Sequence, residues 1–309
     1  MQIFKSDINT LISTKILMEG VHFDLTYIDL QHLGYKAAMI GMNDIFAGGG
    51  APRTIIMSLG LSKRFQELET EALFDGAKMA CEKWNVTLRE GDKTASLTGL
   101  AVNITCIGEA NDDEIISQDG AKETDLLCVS GDLGAAYMGL MLLEREKKVY
   151  YEQLKEGKIN KDEAWQPDFA GKEYLIQRQM EPEARGDVLQ KLREAGIRPT
   201  SMVALSSSLS SALINICKAS NTGCRLFEKF IPIDYQTAVM AEELNMNLTT
   251  CAVNGGDDQE LLFTCPIGDN ETLQEMEGVK VIGHITKPEL GLQLVARDGN
   301  EFEIKKLNN

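Results

Sequence analysis

Apolar and polar positions alternate along this chain with two different periods, which predicts a fold built from both strands and helices. Apolar residues at every second position favour strands, and apolar residues spaced by three or four positions favour helices. The clearest helix is predicted over residues 65–84, where leucine and alanine side chains share one face. Further helices are predicted over residues 32–47, 183–195, 209–219 and 235–244, and after the glycine-containing turn at 131–136. The predicted strands are residues 10–17, 53–61, 96–107, 125–130, 201–205, 224–230, 261–265, 279–285, 292–296 and 302–304.

The order of these elements predicts an α+β fold with mixed sheets. Strands alternate with helices over much of the chain, but hairpins occur as well. A polar stretch at 109–119 separates two halves, and we predict one domain over residues 1–110 and another over residues 120–309. The segment 147–169 is charged and poorly periodic, so we predict that it is a surface excursion.

The composition is that of a globular protein and changes this picture mainly through its charge. Of 309 residues, 43% are hydrophobic and 25% are charged, and the net charge is −16. A charge of this sign argues against nucleic-acid binding, which needs basic patches. It fits either general solubility, which is the commoner case, or a cluster of carboxylates that holds divalent cations. Composition does not separate these two alternatives.

The cysteines and the hydropathy of the chain indicate its cellular compartment. Seven cysteines without C-x-x-C spacing predict buried thiols in a reducing cytoplasm and argue against a zinc site. No run of eighteen apolar residues occurs, and the N-terminus lacks the pattern of a signal peptide. We therefore expect a cytoplasmic protein without a membrane segment.

Four segments of the chain together form a family signature. They read M-E-G-V-H-F at 18–23, K-A-A-M-I-G-M-N-D-I-F-A-G-G-G-A-P-R at 36–53, L-C-V-S-G-D-L-G-A-A-Y-M-G-L at 127–140 and N-G-G-D-D-Q-E-L-L-F-T at 254–264. In this order they resemble the thiamine-monophosphate kinase family of the AIR synthase (PurM-like) superfamily. The resemblance implies a PurM-like two-domain fold, with an N-terminal mixed sheet that pairs across a homodimer and a C-terminal α/β domain.

The resemblance also implies an ATP-dependent kinase. The family reaction transfers the γ-phosphoryl group of ATP to thiamine monophosphate, gives thiamine diphosphate and needs Mg²⁺. No P-loop motif G-x-x-x-x-G-K-[ST] is present, so metal ions on carboxylates would have to neutralise the transferring phosphate. Asp44, in N-D-I, matches the aspartate of the family's S-D-I, and Asp92, in E-G-D-K-T, matches that of G-G-D-T-T. Both resemble metal ligands, whereas an isolated aspartate is more often a helix cap or a turn residue.

Four more residues are placed beside the ligands by the same resemblance. His22 and Asp257 would line the site for thiamine monophosphate, and Thr14 and Ser206 would contact nucleotide phosphates. A lone histidine is more often structural, and Asp257 could instead close a glycine turn. No catalytic residue is identified by the sequence.

Departures from the family pattern fall where metal ions are expected. The family's T-T-D triplet becomes Ser-Thr-Lys at 13–15, which puts the cation Lys15 at a metal-ligand position. The motif D-I-S-D-G-L-S-S-D becomes residues 204–212, which contain no carboxylate, and residues 1–9 lack the family's G-D-D-A-A-V segment. Since metal ligands act as a unit, these losses predict weak Mg²⁺ binding.

Three further departures concern the nucleotide and the substrate. Gln118 stands where the family has a phosphate-contacting arginine, Gln259 replaces an aromatic residue, and Leu307 lies near the expected position of a tryptophan. Two hypotheses follow, an active kinase and a catalytically impaired or inactive homologue with the same dimeric fold. ATP-dependent ring closure, found elsewhere in the superfamily, fits the detailed segments less well.

Overall fold

The structure is a computed structural model that describes residues 2–4, 8–160 and 167–305. The strands are β1 (Gln2–Phe4), β2 (Asn9–Met18), β3 (Ala51–Leu61), β4 (Thr87–Ala95), β5 (Ala101–Ala110), β6 (Leu126–Ser130), β7 (Ser201–Ala204), β8 (Gly223–Phe227), β9 (Leu261–Cys265), β10 (Val279–Thr286), β11 (Leu292–Val295) and β12 (Glu301–Glu303). The helices are α1 (Leu30–Ala47), α2 (Glu67–Lys83), α3 (Ala135–Lys155), α4 (Glu173–Met180), α5 (Gly186–Glu194), α6 (Leu209–Ser220), α7 (Tyr235–Glu243), α8 (Leu248–Asn254) and α9 (Asn270–Glu275).

The first sheet has the strand order β1-β2-β5-β3-β4 and is mixed, because β3 and β4 run parallel while the other pairs are antiparallel. Helix α1 packs on one face of this sheet, and α2 packs on α1. The small residues of α1 allow this close packing. A Cβ atom at Gly34 would lie only 1.9 Å from the carbonyl oxygen of Leu73 on α2. Glycine therefore lets the two helices approach each other, and α1 is held firmly against the sheet.

The second sheet has the order β12-β11-β8-β10-β6-β9-β7 and is antiparallel except between β8 and β11. One hydrophobic core continues from the first sheet and α1 to this sheet, since Ile45 and Met57 belong to the same buried cluster as Phe263 and Val279. A separate cluster lies between the second sheet and α6. The cleft described below lies where the parts carried by the two sheets meet. The division into domains 1–110 and 120–309 stays a prediction.

The predicted α+β class with mixed sheets is confirmed. The predicted helices and strands occur with shifts of up to three residues at their ends, except that the strand predicted over 96–107 is β5 (Ala101–Ala110). Strand β4 was not predicted because its side chains are mostly polar and exposed; backbone pairing with β3 forms it at the sheet edge. Helices α4, α8 and α9 were also missed, since each has eight residues or fewer.

Residues 147–160 lie at the surface, as predicted for the segment 147–169, but residues 147–155 are helical. Helix α3 continues to Lys155, with its buried residues in the first half and a polar second half. Residues 161–166 and Leu307 lie outside the described residues. Within the described part of the chain, no helix is long and apolar enough to cross a membrane.

Candidate functional site

A cleft of about 630 Å³ opens between the part carrying the first sheet and the part carrying the second. Its walls come from β2 and the turn after it, from α1 and α3, and from the loops that follow β7 and α8. The polar lining residues are Lys15, His22, Asp24, Tyr27, Lys36, Tyr137, Glu144, Lys147, Gln179, Ser206, Ser207, Asp257 and Gln259.

A smaller cavity of about 220 Å³ adjoins this cleft, because Lys15, Ser206 and Ser207 line both. The smaller cavity is bounded by Asp44 and Gln118, and by the first turns of α6. We call these the large cavity and the small cavity. Together they form one elongated site with two ends.

Lys15 stands at the junction of the two cavities. In β2, alternate side chains face α1, so Ser13 and Lys15 lie on the same side of the sheet. Asp44, on α1, forms an ion pair with Lys15 Nζ at 2.9 Å and accepts a hydrogen bond from Ser13 Oγ at 2.5 Å. Lys15 Nζ also lies 3.3 Å from Ser206 Oγ. The ammonium group therefore holds the predicted metal ligand Asp44 and lies beside the predicted phosphate-contacting residue Ser206.

The opposite end of the cleft contains a second lysine–aspartate pair. Lys36, on the buried face of α1, donates to Asp257 Oδ2 at 2.6 Å and to the carbonyl oxygen of Gln179 at 2.7 Å. Gln259 Nε2 donates to the other carboxylate oxygen of Asp257 at 2.9 Å. Asp257 is thus oriented by two side chains from different parts of the chain.

The loop that carries Asp257 has an unusual backbone. Asp257 and Gln259 both have positive φ angles, of 65° and 57°, in the region that side chains other than glycine rarely adopt. Gly256 precedes them with φ 85°, and a Cβ atom there would lie 3.0 Å from the backbone of Ser207 and Ser208. Glycine is required because the loops after β7 and α8 touch at this point. This contact brings Ser206 and Asp257 into one site.

Asp258 plays a structural part, unlike its neighbour Asp257. It is buried and accepts hydrogen bonds from the backbone N–H groups of Gly134 and Ala136 at the start of α3. Burial raises the pKa of the Asp258 carboxyl to about 7, although nearby Arg178 opposes this shift. Asp258 therefore fixes the loop against α3, and Asp257 is the member of the pair that faces the cleft.

Behind this loop, Glu260 forms a buried ionic network. Its carboxylate accepts hydrogen bonds from Arg178 Nη1 at 2.8 Å and from Arg185 Nη1 at 2.7 Å, and also from the hydroxyl of Ser130. A buried carboxylate needs such partners to offset its desolvation. The network connects β9 to the segment that contains α4 and α5.

Acidic and basic side chains also meet on the α3 wall of the large cavity. Lys147 lies 3.0 Å from Asp24 and 2.9 Å from Glu144. Burial opposes both charges, but hydrogen bonds from Thr26 and Lys147 lower the pKa of Asp24, and those with Glu144 and Asp24 raise the pKa of Lys147. Both groups are charged at neutral pH. This wall can therefore contact either a positively or a negatively charged group of a ligand.

The remaining predicted site residues are not all brought together. His22 lines the large cavity, and its Nδ1 accepts a hydrogen bond from the backbone N–H of Met18 at 3.1 Å. Thr14 points to the other face of β2, where it pairs with Thr105. Asp92 is exposed on the edge strand β4, and its backbone N–H donates to Ser58 Oγ at 3.2 Å.

The described residues do not fit a Mg²⁺ site built from protein carboxylates. Asp44, on α1, contacts side chains of β2, whereas Asp92 lies on β4. Strands β2 and β4 are separated by β5 and β3, or about 14 Å at ordinary strand spacing. No group of three or more histidine, cysteine, aspartate or glutamate side chains that could hold a metal occurs among the residues that the structure describes. Asp44 itself is engaged by the ammonium group of Lys15.

Sequence reasoning missed two lysines of this site. Lys36 has a signal in retrospect, since it is the one basic residue in the long buried stretch of α1. Lys147 was assigned to a surface segment because its neighbours are charged. Only the packing of α3 beside the loop that carries Asp24 shows that it lines the cleft.

Comparison with known proteins agrees with this geometry. Residues 2–110 match the AIR synthase related protein, N-terminal domain. Together with the two mixed sheets and the cleft between them, this match defines a PurM-like protein. Hydrogenase maturation protein HypE, at 17% identity and a TM-score of 0.73, shares the fold.

More specific likenesses identify the branch. The chain is 30% identical over 258 residues to thiamine-monophosphate kinase of Salmonella typhimurium, covering 82% of this chain and 70% of that protein. It is 27% identical over 287 residues to the Aquifex aeolicus enzyme, covering 90% and 86%. The structure of AaThiL complexed with AMPPCP and TMP superposes with a TM-score of 0.81 at 26% identity, covering 98% of this chain and 88% of that one. This chain belongs to the thiamine-monophosphate kinase family.

Proposed function

We propose that this chain binds thiamine monophosphate and ATP in its cleft but has little Mg²⁺-dependent kinase activity. The family relationship and the intact large cavity support ligand binding. The observation that carries the second half of the proposal is the contact of 2.9 Å between Lys15 Nζ and Asp44 Oδ2. A lysine side chain takes up the carboxylate that the family resemblance assigns to a metal.

In this proposal, the end of the cleft with His22 and Asp257 receives thiamine monophosphate, and the end with Lys15 and Ser206 receives the ATP phosphates. Mg²⁺, when bound to ATP, would supply positive charge to the transferring group. Asp44 is the carboxylate in this part of the cleft that could face such a metal, but Lys15 competes for it. Loss of charge neutralisation slows phosphoryl transfer because the reaction depends on positioning and electrostatics.

A coupled assay of ATP consumption with thiamine monophosphate, run beside calorimetry with Mg²⁺ alone, tests this function. We expect turnover well below the ~1 s⁻¹ of slow ordinary kinases and no tight Mg²⁺ site. Turnover at or above that rate would refute the impairment, and would mean that Asp44, Asp92 and the nucleotide suffice. Failure of thiamine monophosphate to bind would refute the assignment of the large cavity.

We further propose that two copies of the chain pair through the open face of the first sheet, the face turned away from α1. Ile16 and Met18 on this face are 54% and 44% exposed, and exposed apolar patches of this kind mark interaction sites. We expect a dimer by light scattering at micromolar concentration, and a shift to monomer for Ile16→Glu. A monodisperse wild-type monomer would contradict this arrangement.

A cytoplasmic location is part of the same proposal. All seven cysteines are free and buried, as expected for a protein of a reducing compartment.

A further inference from the structure

We infer that the small cavity binds a phosphate group directly through Lys15, without a divalent cation. The inference rests on the proposed function only in taking the ligand of the cleft to be phosphorylated. It assigns to Lys15 the positive charge that metal ions would otherwise bring. The described residues do not form a Mg²⁺ site held by carboxylates, and Asp44 is paired with Lys15.

The side chains around the small cavity suit an oxyanion. Lys15, Gln118, Ser206, Ser207 and Asn215 can all donate hydrogen bonds, and Asp44 is the single carboxylate among the lining residues. The charges of Lys15 and Asp44 cancel, so the lining lacks the net negative charge that a Mg²⁺ site needs to offset cation dehydration. A cavity of about 220 Å³ also has room for a phosphate group, since one water molecule takes up about 30 Å³.

Lys15 can turn from Asp44 to a ligand without leaving a buried charge unpaired. Asp44 keeps the hydrogen bond from Ser13 Oγ, at 2.5 Å, when the lysine moves. The Lys15 and Asp44 side chains are 28% and 20% exposed, so water can also solvate the carboxylate. Ser206, 3.3 Å from the ammonium group, lines both cavities and would share the same phosphate.

A phosphate site built on a lysine and a Mg²⁺-dependent site differ in how removal of the metal changes ATP affinity. Where carboxylates hold Mg²⁺, removing the metal leaves them facing the phosphate and abolishes binding. Where a lysine faces the phosphate, free ATP carries more negative charge than its Mg²⁺ complex and binds at least as well. The effect of EDTA on affinity therefore distinguishes the two kinds of site.

The experiment is calorimetry on the full chain with ATP, thiamine monophosphate and inorganic phosphate, each in EDTA and in Mg²⁺. We expect ATP to bind in EDTA with an affinity equal to or higher than in Mg²⁺, and inorganic phosphate to compete with it. ATP binding that requires Mg²⁺, or no ATP binding in either condition, would overturn the inference. If thiamine monophosphate alone binds and inorganic phosphate does not displace it, the inference fails but the large-cavity assignment stands. If ATP binds in EDTA and thiamine monophosphate does not bind, the inference stands and the large-cavity assignment fails.

Lys15→Met is the variant that isolates the lysine, with Lys78→Met on the distant helix α2 as the matched control for loss of one charge. Loss of an ammonium–phosphate hydrogen bond should weaken ATP binding in EDTA by roughly 10- to 100-fold, and the control should leave it unchanged. Equal affinities for the wild type and Lys15→Met would refute the role of Lys15.

A second variant changes an exposed position of the small cavity. Asn215 is exposed on α6 and lines the small cavity, so Asn215→Asp adds a carboxylate without disturbing the core. We expect Asn215→Asp to weaken ATP binding in EDTA, and we expect added Mg²⁺ to restore part of the lost affinity. An unchanged affinity in EDTA would show that the phosphate does not enter this cavity.

Discussion

The two ends of the cleft each hold a lysine paired with an aspartate, and the two pairs differ in burial and in their further partners. The Lys36 side chain is 5% exposed and holds two groups of the chain. The Lys15 side chain is 28% exposed, and among the described residues its partner besides Asp44 is the hydroxyl of Ser206. The same residue types therefore serve different purposes. The buried pair positions the loop around Asp257, and the accessible pair can exchange partners with a ligand.

Burial explains why the two lysines should not respond alike to substitution. A buried ion pair has lost its hydration, so removing one member leaves the other with a charge it cannot solvate. An exposed pair is screened by water, and its members remain solvated when separated. The free energies of unfolding of variants of the two pairs should therefore differ.

The largest effect is expected from Lys36→Met. Because Asp257 is one-third exposed, its unpaired charge is partly solvated, and we expect a loss of about 3 kcal/mol in the free energy of unfolding, at the low end for a broken buried pair. Urea denaturation with an unchanged m-value measures it. The double variant Lys36→Met/Asp257→Asn should regain part of the loss. A loss below about 1 kcal/mol, the range of exposed pairs, would remove the contrast between the two ends.

An intermediate effect concerns pH and Asp258, which fixes the loop that carries Asp257. With its pKa raised to about 7, this carboxyl holds a proton in the folded state that it has released in the unfolded state between about pH 4 and pH 7. Its contribution to stability therefore falls as pH rises through this window, by at most about 1.4 kcal/mol per pH unit.

Asp258→Asn mimics the protonated side chain and removes this dependence. The variant should gain stability relative to the wild type as pH rises from 5 to 7, while Asp113→Asn, an exposed control, should follow the wild-type profile. Chemical denaturation at several pH values gives the comparison. Parallel profiles for Asp258→Asn and the wild type would show that Asp258 is already ionised at pH 5.

The smallest effect is expected from Lys15→Met on stability. The pair with Asp44 is partly exposed and Ser13 remains as a donor, so we expect a change of no more than about 1 kcal/mol. Thermal unfolding in the absence of ligand measures it. A loss as large as that of Lys36→Met would assign Lys15 a structural role and weaken its proposed role in binding.

How far the sequence anticipates the structure depends on whether a contact is local. Helix α2 and strands such as β2 follow from periodicity, because each buries one regular face. Helix α1 is buried on most sides and is indicated instead by its run of small residues. Strand β4 and the length of α3 do not follow, since pairing with β3 and packing beside distant loops decide them. The charged composition of residues 147–155 indicates exposure, yet Lys147 lines the cleft.

The candidate site shows the same division. The order of the four signature segments points to the family, and the triplet at 13–15 shows that a cation replaces an expected ligand. The partners of that cation lie 29 and 191 positions away in the chain, at Asp44 and Ser206. No spacing in the sequence indicates which of several carboxylates Lys15 would meet.

The fold class, the family and the loss of acidic residues at the metal positions follow from the sequence alone, because these depend on residue types in a fixed order. The packing of the folded chain was needed to show that Lys15 and not Thr14 faces the cleft, that Asp92 lies apart from Asp44, and that Lys36 is buried against Asp257. The reason is that electrostatic interactions depend on distance and burial. The chain sets both by bringing together residues that are far apart along it.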